Sequence, residues 1–235
     1  MTRFRLPIGR GLFFLCAFLF ALIALLPLRL ALERIGQAGF AAREATGSVW
    51  LGTMKEAQLG KVALGDLAVS LETLPLFASQ ARLTLKGLDG RRFEGAFSST
   101  RHGFGVDDLT AELSLAGAFG PLPLARIDTT DVSARFERGR CVAAEGRVRA
   151  TLSGDIGGIP LPGLAGAARC EAGLLLLPLL SQPGTERLEL RIGGDGRSRA
   201  DLRVRPSQPG LGAALTAAGF AASGDGYALR LAGTL

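Results

Sequence analysis

From position 45 onward the apolar residues of this chain recur at every second position. In "SQARLTLKG" (79–87), Ala81, Leu83 and Leu85 fall on one side, and Gln80, Arg82, Thr84 and Lys86 on the other. "RADLRVRP" (199–206) repeats the pattern, with Ala200, Leu202 and Val204 against Arg199, Asp201, Arg203 and Arg205. Leu109, Ala111, Leu113 and Leu115 alternate with Thr110, Glu112 and Ser114, and Leu188, Leu190 and Ile192 with Arg187, Glu189 and Arg191. Val132, Ala134 and Phe136 continue the series. Successive side chains of an extended chain point to opposite faces, so this period means strands with one oily and one wet face. Such strands belong to antiparallel sheet solvated on one side. The reading is a mainly β domain, built as one curved antiparallel sheet or as two sheets. Asp225–Gly226 between alternating runs predicts a type I′ hairpin. "LPLARI" (122–127) is the one helix-compatible patch, flanked by proline. The Gly/Pro-rich segment 154–166 reads as a loop, and as a hinge if the sheet divides into halves.

The N-terminus follows another rule. Residues 11–28, "GLFFLCAFLFALIALLPL", carry no charge. As a helix they would span roughly 27 Å, close to a thin hydrocarbon core. Arg3, Arg5 and Arg10 precede the run, which places the N-terminus in the cytoplasm. A signal peptide shares the charged start and apolar centre. This run is longer than a signal-peptide core, and "LRLALERIGQAGF" has no small-x-small site directly after it, so a retained anchor is expected. The organisation expected is a cytoplasmic tail at 1–10, a transmembrane helix at 11–28, a linker at 29–44 and a periplasmic β-rich domain at 45–235.

The net charge of +6 does not argue for nucleic acid. Up to position 34, Arg3, Arg5, Arg10, Arg29 and Arg34 stand against Glu33 alone, so four of the six net charges lie in the tether. A nucleic-acid binder needs its basic face on the folded domain. Arg187, Arg191, Arg197, Arg199, Arg203 and Arg205 cluster later, alternating with apolar residues as the wet face of two strands would. The sharper reading is a patch facing acidic lipid head groups or an acidic partner.

Catalytic signatures are missing from the sequence. The single histidine, His102, lies near Asp107 and Asp108 with no second histidine or nearby cysteine to complete a metal site. No G-x-S-x-G, phosphate-binding or H-E-x-x-H motif occurs. "GGDGRSRAD" (193–201) has the wrong glycine spacing for a phosphate or calcium loop and reads as a hairpin turn. No catalytic residue, metal or cofactor is assigned.

"ATGSVWLGTMKEAQLGKVALGDLAVSLETLPLFASQARLTLKG", placed after one apolar segment, resembles the N component of the bacterial type II secretion system. The positions that carry the likeness are Gly47, Ser48, Val49, Trp50 and Gly52, then Leu64–Gly65, then Leu74 and Pro75 at the end of the next strand; the closing "GDGYALRLAGTL" is similar too. The strand before Leu74–Pro75 lacks the second tryptophan frequent in that family. The resemblance implies a non-catalytic accessory component of the inner membrane that binds other subunits of the secretion machinery. The rival is a single-span envelope protein of the AsmA-like or lipopolysaccharide-transport type, with lipid in a β groove lined by "GLLLLPLL" (173–180). Trp50, the only tryptophan, is expected in the first strand, packed into the sheet core, with an exposed indole at the membrane interface as the alternative. Cys141 and Cys170 are the only cysteines beyond the apolar run and are expected to pair in an oxidising periplasm.

Overall fold

The computed structural model describes residues 8–28, 40–60, 62–88, 90, 92–115, 124–153, 155–156, 159–206, 210–224 and 226–234. Helix α1 (Ile8–Ala24) opens the chain. Then come β1 (Phe40–Ala41), β2 (Glu44–Gly47), β3 (Gly52–Leu59), β4 (Val62–Leu71), the single turn α2 (Thr73–Phe77), β5 (Ala81–Gly87), β6 (Phe93–Ser99), β7 (Gly103–Ser114), β8 (Leu124–Glu137) and β9 (Arg140–Leu152). The second half holds β10 (Asp155–Ile156), β11 (Ile159–Pro160), β12 (Leu164–Ala167), β13 (Arg169–Glu171), β14 (Leu174–Ser181), β15 (Glu186–Ile192), β16 (Arg197–Val204), α3 (Leu211–Ala217), β17 (Ala221–Ser223) and β18 (Gly226–Thr234).

Sixteen of these strands form one antiparallel sheet, and β10–β11 a small separate hairpin. From β3 to β9 every strand pairs with the next in sequence, and the order continues β12-β14-β15-β16-β18-β17. The architecture is therefore the single curved sheet rather than two stacked ones. β12 and β13 behave as one strand interrupted opposite Pro178, which has no N–H to give: Ala165 pairs with Leu180 and Arg169 with Leu176 in the same register.

The alternation predicts the burial. Ala200, Leu202 and Val204 are buried while Arg199 and Arg203 are exposed, and Val132, Ala134 and Phe136 are buried in β8. One hydrophobic cluster runs from Met54 on β3 to Leu229 on β18. A sheet this wide buries one face only by curling. β4 even reaches β7, pairing Ala63 with Ser114, so the second and fifth strands of the β3–β9 run meet.

A row of bulges makes the curl. Pairing slips in β3 between Met54 and Ala57, in β6 between Glu94 and Ala96, in β7 between Val106 and Leu109 and in β8 between Thr130 and Ser133. Glu56, Asp108 and Asp131 adopt φ of +49°, +52° and +50° there. A bulge bends its strand and raises the local twist. Two of them interlock: the Asp108 N–H donates to Ser133 Oγ (3.0 Å) and the Asp131 N–H to Thr110 Oγ1 (3.1 Å). Gly146 on β9 extends the row at φ +103°.

Several expectations are corrected. "LPLARI" is no helix: Leu124–Ile127 open β8, pulled into the sheet by β7 and β9 on either side, and residues 122–123 lie outside the described ones. The 11–28 helix starts earlier and stops at Ala24, because Leu26 and Pro27 bond to the sheet instead. With 17 residues in α1, no helix among the described residues is long and apolar enough to cross a membrane. Sheet begins at Phe40, inside the expected linker, whose residues 29–39 lie outside the described ones, as do residues 1–7. The segment 154–166 contains a short hairpin and the start of β12, which ties β9 to β14 so that the sheet continues across it. Ser223 pairs with Gly226 to close a two-residue hairpin loop; Asp225 itself is outside the described residues.

Candidate functional site at the helix–sheet junction

The residues "GSVWLG" build the connection between α1 and the sheet. The helix ends at Ala24, and two residues later the chain is already sheet-bonded: the Val49 N–H donates to the Leu26 carbonyl (3.0 Å), and Pro27 bridges Ser48. The Leu71 N–H donates to the Val49 carbonyl (2.9 Å), so helix exit, β2–β3 turn and the end of β4 are hydrogen-bonded in series. Leu28 and Val49 are buried in the core.

Each motif residue has a local task. Gly47 sits at φ +85°, where a Cβ would also stand 2.5 Å from the Leu51 carbonyl oxygen, so only glycine fits. Ser48 closes the turn twice: its N–H donates to the Leu51 carbonyl (3.2 Å) and its Oγ accepts from the Leu51 N–H (3.3 Å). Below the turn the Thr46 and Thr53 hydroxyls are hydrogen-bonded at 2.8 Å. Trp50 lies in this turn, not in a strand. It is half-buried against the core cluster, between the two placements the sequence suggested. Leu51, at the tip, is 80% exposed.

Leu74 and Pro75 do not end a strand either; they lie inside α2. This helix buries none of its residues. It is held by its flanks: the Glu72 N–H donates to the Arg82 carbonyl (2.9 Å), Thr84 Oγ1 donates to the Glu72 carboxylate (2.8 Å), and Arg82 pairs with both Glu72 and Asp107 at 3.3 Å. A polar brace thus presents Leu74, 80% exposed, and Phe77, 89% exposed, to the outside. Sequence reasoning used Leu74 but missed Leu51, Leu76 and Phe77; the signal was "TLPLF", an apolar run with neither period.

Beside the junction, on the outer face, Thr53, Ala68, Ser70 and Lys86 help line a shallow depression of about 440 Å³. Cys141 and Cys170 are bonded, with Cα atoms 5.5 Å apart, and tie the start of β9 to β13. His102 is at the β6–β7 tip; Asp107 is engaged by Arg82 and Asp108 lies in a bulge, so the three do not converge. Among the described residues no cluster of His, Cys, Asp and Glu is set to hold a metal. "GGDGRSRAD" contributes the β15–β16 turn and the start of β16. In the leucine run, Leu177 and Leu179 are buried opposite Leu190 and Leu188 in the core.

The arginine cluster forms a grid on the wet face. Glu189 and Asp201 are directly opposite across β15 and β16. Arg187 (2.9 Å) and Arg191 (2.7 Å) flank Glu189, while Arg203 (3.1 Å) and Arg230 (3.2 Å) flank Asp201. Burial pushes the Asp201 carboxyl up, but hydrogen bonds and charge from Arg203 and Arg230 outweigh it and hold it below the ordinary aspartate value. Two like charges face each other here only because arginines surround both.

The family model for protein N of the type II secretion system matches residues 38–230. No curated protein and no solved structure matches the chain.

Proposed function

Because this chain belongs to the type II secretion system protein N family, we propose that it serves that system as a non-catalytic accessory subunit of the inner membrane, joining other envelope subunits. The family match carries this reading, since it takes in the sheet from end to end of its core, from before β1 to Arg230. In this reading α1 is the anchor, the N-terminus is cytoplasmic and the sheet is periplasmic. The side chains of Phe13, Phe14, Phe18 and Phe20 are all exposed on α1. Seventeen helical residues measure about 25 Å, short of a ~30 Å hydrocarbon core; Leu25, whose N–H still donates to the Ala21 carbonyl, and then Leu26 and Pro27 lengthen the apolar segment toward it. The positive residues before the run set the orientation. The wet face of the sheet, with its arginine grid, is the surface offered to partner subunits.

Two measurements test this. Alkaline phosphatase fused after Leu235 should be active; a stable but inactive fusion overturns the orientation. The tagged full chain, solubilised from membranes that express the secretion machinery, should bring down inner-membrane subunits of that machinery. Normal recovery of the chain with no such subunit overturns the accessory role.

A further inference from the structure

We propose that the end of the sheet where α1 leaves it is a bilayer-seating surface: Leu51, Leu74, Leu76 and Phe77 lie in the leaflet from which α1 emerges, and Arg101, Arg138 and Arg140 lie against its anionic head groups. The proposal rests on the reading of α1 as the anchor and adds that the sheet domain itself touches lipid.

The first argument is the absence of slack. α1 ends at Ala24, and the Leu26 carbonyl already accepts a hydrogen bond from Val49 of the sheet. A domain joined this closely to a membrane helix cannot hang away from the membrane. Its near end is held within a few residues of the lipid boundary, and that end is the one carrying the Leu51 turn and α2.

The second is where the uncovered apolar side chains are. Outside α1, the three most exposed large apolar side chains among the described residues are Leu51 (80%), Leu74 (80%) and Phe77 (89%). All three belong to this end: Leu51 is in the turn whose Val49 binds Leu26, and α2 follows the Leu71 that binds Val49. They are not core residues left at a rim, because α2 buries nothing and is held by ion pairs and hydrogen bonds at its flanks. A braced one-turn helix with its leucines and phenylalanine outward is uncovered apolar surface, and Leu25, the first residue after α1, is exposed as well. Trp50 beside Leu51 is the residue type that concentrates at membrane interfaces.

The third is charge. The β6–β7 tip is at this end, since Ser99 pairs with Ala81 just after α2. The Arg138 N–H donates to the His102 carbonyl (2.9 Å), which brings the β8–β9 tip alongside. Arg101, Arg138 and Arg140 are exposed on these tips and make no ion pair among the described residues; Glu137 is the acidic neighbour. Basic groups flanking an apolar patch suit an anionic leaflet.

The test uses the full chain in vesicles of zwitterionic and anionic phospholipid with acyl chains brominated near the head group. Trp50 is the only tryptophan, so the native protein reports the turn, and Phe77→Trp in a Trp50→Phe background reports α2. Both reporters should lose roughly half their emission relative to unbrominated vesicles, as interfacial indoles would. The Phe77→Trp signal should fall less in purely zwitterionic vesicles and in Arg101→Gln/Arg138→Gln/Arg140→Gln. Unquenched emission from the Phe77→Trp reporter overturns the seat, whether blue-shifted under a protein partner or second copy, or red-shifted in water. Cys16, the free cysteine within α1, separates the two readings. Reaction of Cys16 with a membrane-impermeant maleimide overturns the anchor; Cys16 protected with both indoles unquenched overturns the seat alone.

Discussion

Leu28 occupies the space that a side chain at residue 52 would need: its Cδ2 stands 2.6 Å from where a Cβ on Gly52 would be. The glycine of the turn motif and Leu28, the last residue of the uncharged 11–28 run, are thus one packing unit. Gly52→Ala should destabilise the full chain by about 1–3 kcal/mol through overpacking. Leu28→Ala should cost about 2–5 kcal/mol through a cavity. The double variant should be less unstable than the two losses added, because each relieves the other. Denaturant midpoints of all four proteins in detergent measure this, and strict additivity would separate the two residues.

Gly146→Ala should cost about 2 kcal/mol or more from backbone strain and overpacking. At φ +103° the position excludes ordinary side chains, and a Cβ would lie 2.4 Å from both the Asp131 carbonyl oxygen and the Val132 Cα. Gly90, at φ +74° with nothing within 4 Å, is the control: it carries strain without the clash, so Gly90→Ala should be milder.

The bond between Cys141 and Cys170 joins positions 29 apart. Thiol labelling of protein expressed in the periplasm, under denaturing and non-reducing conditions, should find neither cysteine free. Cys141→Ala/Cys170→Ala should lower stability by about 3–4 kcal/mol on the chain-entropy model.

Asp201 predicts an acid limb. Its folded pKa is depressed, so its stabilising contribution is complete above the unfolded value of 3.8 and is lost as pH falls through the lower folded value. Asp201→Asn removes that limb. Unfolding midpoints followed from neutral pH to about pH 2 should fall more steeply in the parent chain than in the variant near and below that unfolded value.

Much of this fold is written in the alternation. Leu188, Leu190, Leu202 and Val204 face the core because a period of two leaves one choice of face, and a slip by one residue would expose all of them. The breaks in the pattern are harder to read. A six-residue patch such as "LPLARI" cannot distinguish two periods, and neighbouring strands decided it. The bulges at Glu56, Asp108 and Asp131 carry no glycine to announce them, although aspartate enters that backbone region more readily than most residues. Gly47, Ser48, Trp50 and Gly52 were found as a family motif, yet their shared purpose, joining helix to sheet, depends on the contact with Leu26 and Leu28 that no spacing rule encodes. Phe77 was passed over because an exposed phenylalanine and a buried one look the same in sequence.

The near-sequential order of the sheet bears on how the chain is made. From β3 to β9 each strand's partner is the one synthesised just before it, so pairing needs only short loops to close. Low separation in sequence favours rapid formation. The domain can therefore assemble vectorially, laying down each strand on the edge of the last as it emerges. The edge left open at any moment is the one the next segment fills, which limits the time an unpaired strand is available to a stranger.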